Sequence, residues 1–236
     1  MANPNRVAMI TGAAGNLGQA TTRTFIEAGT HTALVGRGAG SLRSVYPELV
    51  GSPDHMLIEG VDLGDPSAAA TIVSDVMGRF GRIDVLVNTV GTYRGGLPVQ
   101  DEDIETWDLL YTANVRTTVL MCRATIPAML ENGSGRIINV AARAALAGGA
   151  NAAAYSASKS GVVRLTESLA AELRDSNINV NCVLPGTIDT PKNREAMPDA
   201  DFSRWVTPNA VADVILFLSS EESRGVSGAA IPVYEG

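Results

Sequence analysis

Val7-Ala8-Met9-Ile10-Thr11-Gly12-Ala13-Ala14-Gly15-Asn16-Leu17-Gly18 decides the fold of this chain. Val7 to Thr11 reads as a short buried strand. A glycine turn follows at once. Apolar and small residues then recur as on a helix, to about Ala28, where Gly29 closes it. Strand, glycine turn and helix in that order build a phosphate cradle: the turn lets backbone approach a pyrophosphate, and the helix start offers free N–H groups and a positive dipole end. Gly12, Ala14, Gly15, Asn16 and Leu17 are the candidate contacts. Asn16 stands where a glycine often sits, and asparagine tolerates left-handed backbone better than most residues.

Outward from that stretch, strands and helices alternate. Strands are expected at Thr32–Gly36, Met56–Val61, Ile83–Val87, Gly135–Val140, Ile178–Leu184 and Gly228–Val233. Helical patterns occupy Pro66 to about Phe80, Asp103 to Leu130, the stretch around Tyr155 to about Arg174, and Pro208 to Ser219. The alternation implies one doubly wound parallel sheet of about seven strands with helices on both faces, over residues 1–236. Residues 187–206, polar and proline-bearing, form a candidate lid. Ligands in such folds lie at the carboxyl ends of the strands.

The strand ends therefore name the site. At the second strand, Gly36-Arg37 stands where a carboxylate would receive the ribose hydroxyls of NAD. A guanidinium there can pair with a 2′-phosphate, which favours NADP(H) over NAD(H); the alternative is a solvated loop arginine. Asp62, with Leu63, can bond an adenine amino group or cap the helix near Pro66. Asn88-Thr89-Val90-Gly91 turns at the end of the fourth strand. Gly91-Thr92-Tyr93-Arg94-Gly95-Gly96 follows as a glycine-rich rim. Asn114 sits inside a helical pattern, where a buried asparagine either satisfies nearby backbone or holds a water.

Tyr155-Ser156-Ala157-Ser158-Lys159 carries the chemistry. Tyr155 and Lys159 share a helix face, with Cβ atoms about 5–6 Å apart. An ammonium beside a phenol is expected to lower the phenol pKa from about 10 toward neutral. Lys159 and Lys192 are the only lysines in a chain otherwise rich in arginine.

Length and composition agree with an enzyme-sized globular domain: 236 residues, 45% hydrophobic and 18% charged. A net charge of −7 argues against a nucleic-acid partner. Cys122 and Cys182 lie far apart with no metal or disulfide spacing, and no metal is expected. Neither a signal peptide at Met1–Arg6 nor a membrane-spanning apolar run is read, so a cytoplasmic protein is expected. His31 and His55 read as surface residues, and Trp205 as lid packing.

In this order and spacing, Thr11–Gly18, Asn88-Thr89-Val90-Gly91, Asn114, Tyr155-x-x-x-Lys159 and Pro185-Gly186 resemble the short-chain dehydrogenase/reductase family over nearly the whole chain. The resemblance implies that Tyr155 exchanges the proton, that Lys159 binds the nicotinamide ribose and tunes the phenol, and that Asn114 holds a water in a proton relay. It places the cofactor also against Asn88, Val90, Gly91, Pro185, Gly186, Ile188 and Thr190, with Ile188 giving backbone contact to the nicotinamide amide. It implies a small-molecule substrate and a homodimer or homotetramer formed through the long helices at about 104–130 and 152–174. One departure is large. Thirteen residues before Tyr155 the family has a catalytic serine, and this chain has Ala142. Losing such a donor costs about 100–1,000-fold in rate. The segments Ala142–Leu146, Gly91–Gly96 and Asp189–Trp205 are similar to the serine-less active site of quinonoid dihydropteridine reductases, which implies a conjugated, pterin-like substrate.

Overall fold

The computed structural model describes residues 6–234; the polar start at Met1–Asn5 lies outside them. Seven strands form one parallel sheet in the order β3-β2-β1-β4-β5-β6-β7. They are β1 (Val7–Thr11), β2 (His31–Val35), β3 (His55–Ile58), β4 (Val85–Asn88), β5 (Gly135–Val140), β6 (Ile178–Pro185) and β7 (Ala230–Val233). The order reverses between β1 and β4, so the loops leaving those two strands diverge and leave a crevice at their carboxyl ends.

Buried on both faces, the central strands are mostly apolar, with Asn88 and Asn139 as polar exceptions. Met9, Leu86 and Ile137 point to one face, where they meet Ile72 and Val76 of α3 (Pro66–Phe80) and Met121 and Met129 of α5 (Thr117–Asn132). Ala8, Ile10, Val87 and Ile138 point to the other. There they meet Leu17 and Phe25 of α1 (Asn16–Glu27), Leu42 of α2 (Ser41–Val45), and Val211 and Ile215 of α8 (Pro208–Ser219).

Local chemistry fixes the helix ends. At α3, Asp65 accepts the Ser67 N–H at 2.9 Å, Pro66 opens the first turn, and Gly81 closes the helix at φ 73°. At α8, Thr207 accepts the Ala210 N–H at 3.2 Å and Pro208 follows. Asp65, and not Asp62, therefore caps α3: Asp62 instead accepts the Gly64 N–H at 2.9 Å and folds its own turn.

The long pattern at 103–130 is not one helix. It divides into α4 (Ile104–Tyr111), a π-helical turn (Thr112–Arg116) and α5, with Asn114 in the π turn. Five strands also differ from their expected spans: β2 is His31–Val35 instead of Thr32–Gly36, and β6 runs one residue further, to Pro185. β3 stops at Ile58 instead of Val61, β4 runs from Val85 to Asn88, and β7 begins at Ala230. After Ile58 the ladder to β2 ends, and backbone continues to pair only through the Val61 N–H to Gly36. Residues 187–206 hold α7 (Pro191–Ala196), a 3-10 turn at Phe202–Arg204 and a bridge between Ile188 and Val206. Arg194 clamps Asp189 with two bonds, of 2.6 and 2.8 Å, and lies over the Phe202 ring. Trp205 is buried against Phe202, with ring centroids 4.7 Å apart. His31 and His55 are half-buried rather than surface residues. They sit at the amino ends of β2 and β3, away from the crevice, where His55 bonds Thr32 at 2.9 Å.

Candidate active site

At the end of β1, Gly12 takes φ 66°, and a Cβ there would lie 2.9 Å from the Thr89 hydroxyl. Gly18 brings α1 down onto the same turn: a Cβ at Gly18 would lie 2.2 Å from the Gly12 carbonyl. Both positions thus need glycine, one for its backbone angle and both for closeness. Gly15 precedes α1 with no side-chain cap, and the first turn carries no acid. The N–H groups at Asn16 and Leu17 are left for an anion. Asn16 itself is ordinary right-handed helix. The left-handed asparagines are Asn151 and Asn177, so the tolerance expected of Asn16 goes unused. Behind the turn, the buried Tyr46 donates its hydroxyl to Ala13 O at 2.8 Å. Composition gave no sign of that brace.

The second wall follows β4. Asn88 sends its amide into the sheet, donating to Asn139 Oδ1 at 2.9 Å, and Asn139 donates to Thr166 Oγ1 at 3.0 Å. Its side chain is consumed in the core. The register Asn88↔Asn139 was the available signal, since two asparagines in step on adjacent strands satisfy one another.

Next, Asn114, 1% exposed, accepts the Thr92 N–H at 2.8 Å and donates to Thr92 O at 3.1 Å and to Ser158 Oγ at 2.9 Å. Of the two readings open for Asn114, the structure records bonds to neighbouring backbone. The π turn lets it reach the rim after β4 from one side and α6 (Ala153–Glu172) from the other. Ser158 in turn donates to Tyr155 O at 2.8 Å. The motif spacing of Tyr155 and Lys159 carries no signal for this Ser158 link.

Lys159, 4% exposed, donates to Val140 O at 2.9 Å, which leaves ammonium protons for another acceptor. A Cβ on Gly91 would meet Asn114 Oδ1 at 2.9 Å and Lys159 Nζ at 3.0 Å. Gly91, Asn114 and Lys159 thus converge on a space that any side chain at 91 would fill. Tyr155 lies edge-on to Tyr93, centroids 4.9 Å apart. Gly95 and Gly96 fit the rim against Asn151: Gly96 N–H donates to Asn151 O at 2.7 Å.

The expected acidity of the phenol is not what this geometry gives. Burial, with Tyr93 beside it, pushes the Tyr155 phenol up to about 12. Burial pushes Lys159 down to about 8. The ammonium is drawn to the Val140 carbonyl, and it is not among the groups that shift the phenol. Among the described residues no group of metal-ligating side chains converges, and no helix is long and apolar enough to cross a membrane.

Residues 6–201 match the family model for short chain dehydrogenase. The chain is a short-chain dehydrogenase/reductase. It is 37% identical over 98% of its length to (2S)-[(R)-hydroxy(phenyl)methyl]succinyl-CoA dehydrogenase subunit BbsD of Thauera aromatica, covering 96% of that protein. It is 35% identical over 98% of its length to 3-oxoacyl-[acyl-carrier-protein] reductase FabG of Thermotoga maritima, covering 97% of that protein. The NAD+-bound xylitol dehydrogenase superposes with a TM-score of 0.90 at 27% identity, over 98% of each chain. This dehydrogenase/reductase therefore carries the nicotinamide-binding oxidoreductase fold of its family.

The other candidates lie along the same sheet edge. Arg37 is exposed just past β2; Asp62 is exposed and Leu63 buried past β3. Val90 lies half-buried in the turn after β4. Pro185 ends β6, and Gly186 donates its N–H to Val233 O at 2.9 Å. Ile188 O is taken by Asn193 Nδ2 at 2.8 Å, and Thr190 caps α7. Those last two are held by bonds within residues 187–206.

Proposed function

We propose that this chain is an NAD(P)H-dependent reductase of a small carbonyl or conjugated, pterin-like substrate, with Tyr155 delivering the proton. The observation that carries the reading is the convergence of Lys159, Asn114 and Gly91 one helical turn from Tyr155. The residues fit a dinucleotide: an uncapped helix start after Gly12–Gly15 for the pyrophosphate, and a buried ammonium with protons to spare for a ribose. When bound, the cofactor supplies the hydride. Asn114 holds the rim, and Lys159 fixes the ribose side.

A phenol near 12 is protonated at neutral pH. It is therefore a proton donor available to a substrate that takes up hydride. Ala142 removes the hydroxyl that would steady a developing alkoxide, which favours substrates that accept hydride into a conjugated system. Arg37 would receive a 2′-phosphate and so select NADP(H), with Asp62 and Leu63 beside the adenine. Exposed Leu109, Tyr111 and Val119 on α4 and α5 favour a homodimer or homotetramer through those helices. The whole chain would act as one cytoplasmic domain with a lid at 187–206.

The test is oxidation of NADPH and NADH against ketones, quinones and a quinonoid pterin. Turnover of at least one class supports the reading. Tight NADPH binding with no turnover of any class would instead favour a non-catalytic NADP-binding sensor or scaffold, the reading to which Ala142 gives weight. Arg37→Asp is expected to reverse the preference for NADPH over NADH by about tenfold or more, measured as a ratio of dissociation constants. An unchanged ratio removes Arg37 as the selector.

A further inference from the structure

Next to Gly186 at the end of β6, the loop after β5 and residues 187–206 line an open cavity of about 270 Å³. Arg143 lines it from the first side, one residue past Ala142. Arg204, Asp201 and Trp205 line it from the lid, with Thr187 and Tyr234 between. The Arg143 guanidinium lies over the Tyr234 ring, 5.1 Å from its centroid. Trp205 is buried against Phe202, so the turn bearing Arg204 is anchored to the protein.

Neither arginine is held in an ion pair, although Arg204 lies near enough to Asp201 to help keep that carboxyl ionised. Arg43, Arg82, Arg136, Arg164 and Arg194 each pair with a carboxylate. Among the described residues, Arg143 and Arg204 pair with none within ion-pair distance. The one acid on the cavity, Asp201, spends Oδ1 on the Ser203 N–H at 3.1 Å and the Ser203 hydroxyl at 2.6 Å. Those bonds hold its carboxyl ionised and below the usual range. Among the described residues, two guanidinium groups line the cavity against one carboxylate, in a chain of net charge −7. Thr187 adds a hydroxyl next to Ile188, the residue proposed to meet the nicotinamide.

We propose that Arg143 and Arg204 form a carboxylate subsite, so that the substrate is an oxo acid whose anionic end seats in this cavity while its reacting carbon lies toward Tyr155. Guanidinium groups match the two oxygens of a carboxylate, and paired charged bonds of this kind give selectivity that apolar contact does not. The proposal rests on the reductase reading and narrows its substrate class to anionic members.

The test compares an oxo acid with its methyl ester, the same carbonyl in both, on the wild type, Arg143→Met, Arg204→Met and Arg204→Lys. Thermal midpoints confirm that each variant folds. The wild type is expected to favour the acid, and each methionine variant to lower kcat/KM for the acid about 10–100-fold, with the ester changed by less than about threefold. Arg204→Lys should restore part of the loss. Equal use of acid and ester by the wild type, or an equal fall on both in the variants, overturns the subsite. If nothing is turned over, the reductase reading fails and the subsite is read separately. Titration of the NADPH-loaded protein with succinate, followed by cofactor fluorescence, should saturate in the wild type and weaken about tenfold or more in the methionine variants. No saturation in the wild type overturns the subsite too.

Discussion

Ala142 is extended, at φ −166° and ψ 162°, and only 8% exposed. A serine fits that backbone, so Ala142→Ser asks a chemical question without disturbing the fold. The substitution is expected to raise kcat/KM for a simple ketone by about 10–100-fold, because one more donor would meet the oxygen that gains charge. A conjugated imine should gain much less. Equal gains on both would contradict the idea that this site avoids an alkoxide. Other single residues divide by how local their physics is. Gly12 was legible because a strand running into a tight turn needs glycine, and its φ of 66° is that need. The spacing of Tyr155 and Lys159 was legible for the same reason. The phenol's acidity was not, since a helical spacing says which face Lys159 is on but not that its ammonium turns to Val140 O.

Elements show the same division. Buried runs such as Val85–Asn88 announce a strand by composition, but their limits depend on where a neighbour stops pairing. The π turn had no mark beyond Asn114 itself: Thr112-Ala113-Asn114-Val115-Arg116 holds no proline or glycine. Its purpose shows only in three dimensions, where Asn114 spans the rim and α6. Asn114→Ala would leave both the N–H and the carbonyl of Thr92 without their partner, at about 1–3 kcal/mol for each group that water does not reach. Denaturant unfolding should show a loss of about 2 kcal/mol, and amide exchange should rise at Thr92 first. Unchanged protection at Thr92 would mean that the rim is held elsewhere.

Across the whole molecule, the buried site leaves a mark on stability against pH. Lys159 is pushed from 10.5 to about 8, so between those values the unfolded chain holds a proton that the folded protein has released. Stability therefore rises with pH through that window, by up to roughly 3 kcal/mol, and the full penalty of the buried charge is felt below pH 8. Tyr155 acts oppositely. The folded protein keeps its proton between pH 10 and about 12, so that contribution is whole below pH 10 and lost above it. Cys122 and Cys182, buried thiols pushed up to about 12 and about 11, begin to subtract above pH 9. Only a difference isolates the lysine: wild-type stability minus that of Lys159→Met should climb from pH 8 to pH 10, and a flat difference would mean that the ammonium is solvated. All of this serves one claim, that Tyr155 gives the proton that accompanies hydride. The direct measurement is kcat beside NADPH affinity for Tyr155→Phe on any substrate the wild type reduces. A fall in kcat of about 100-fold or more with NADPH affinity unchanged is the predicted result; a kcat within a few-fold of wild type would contradict it.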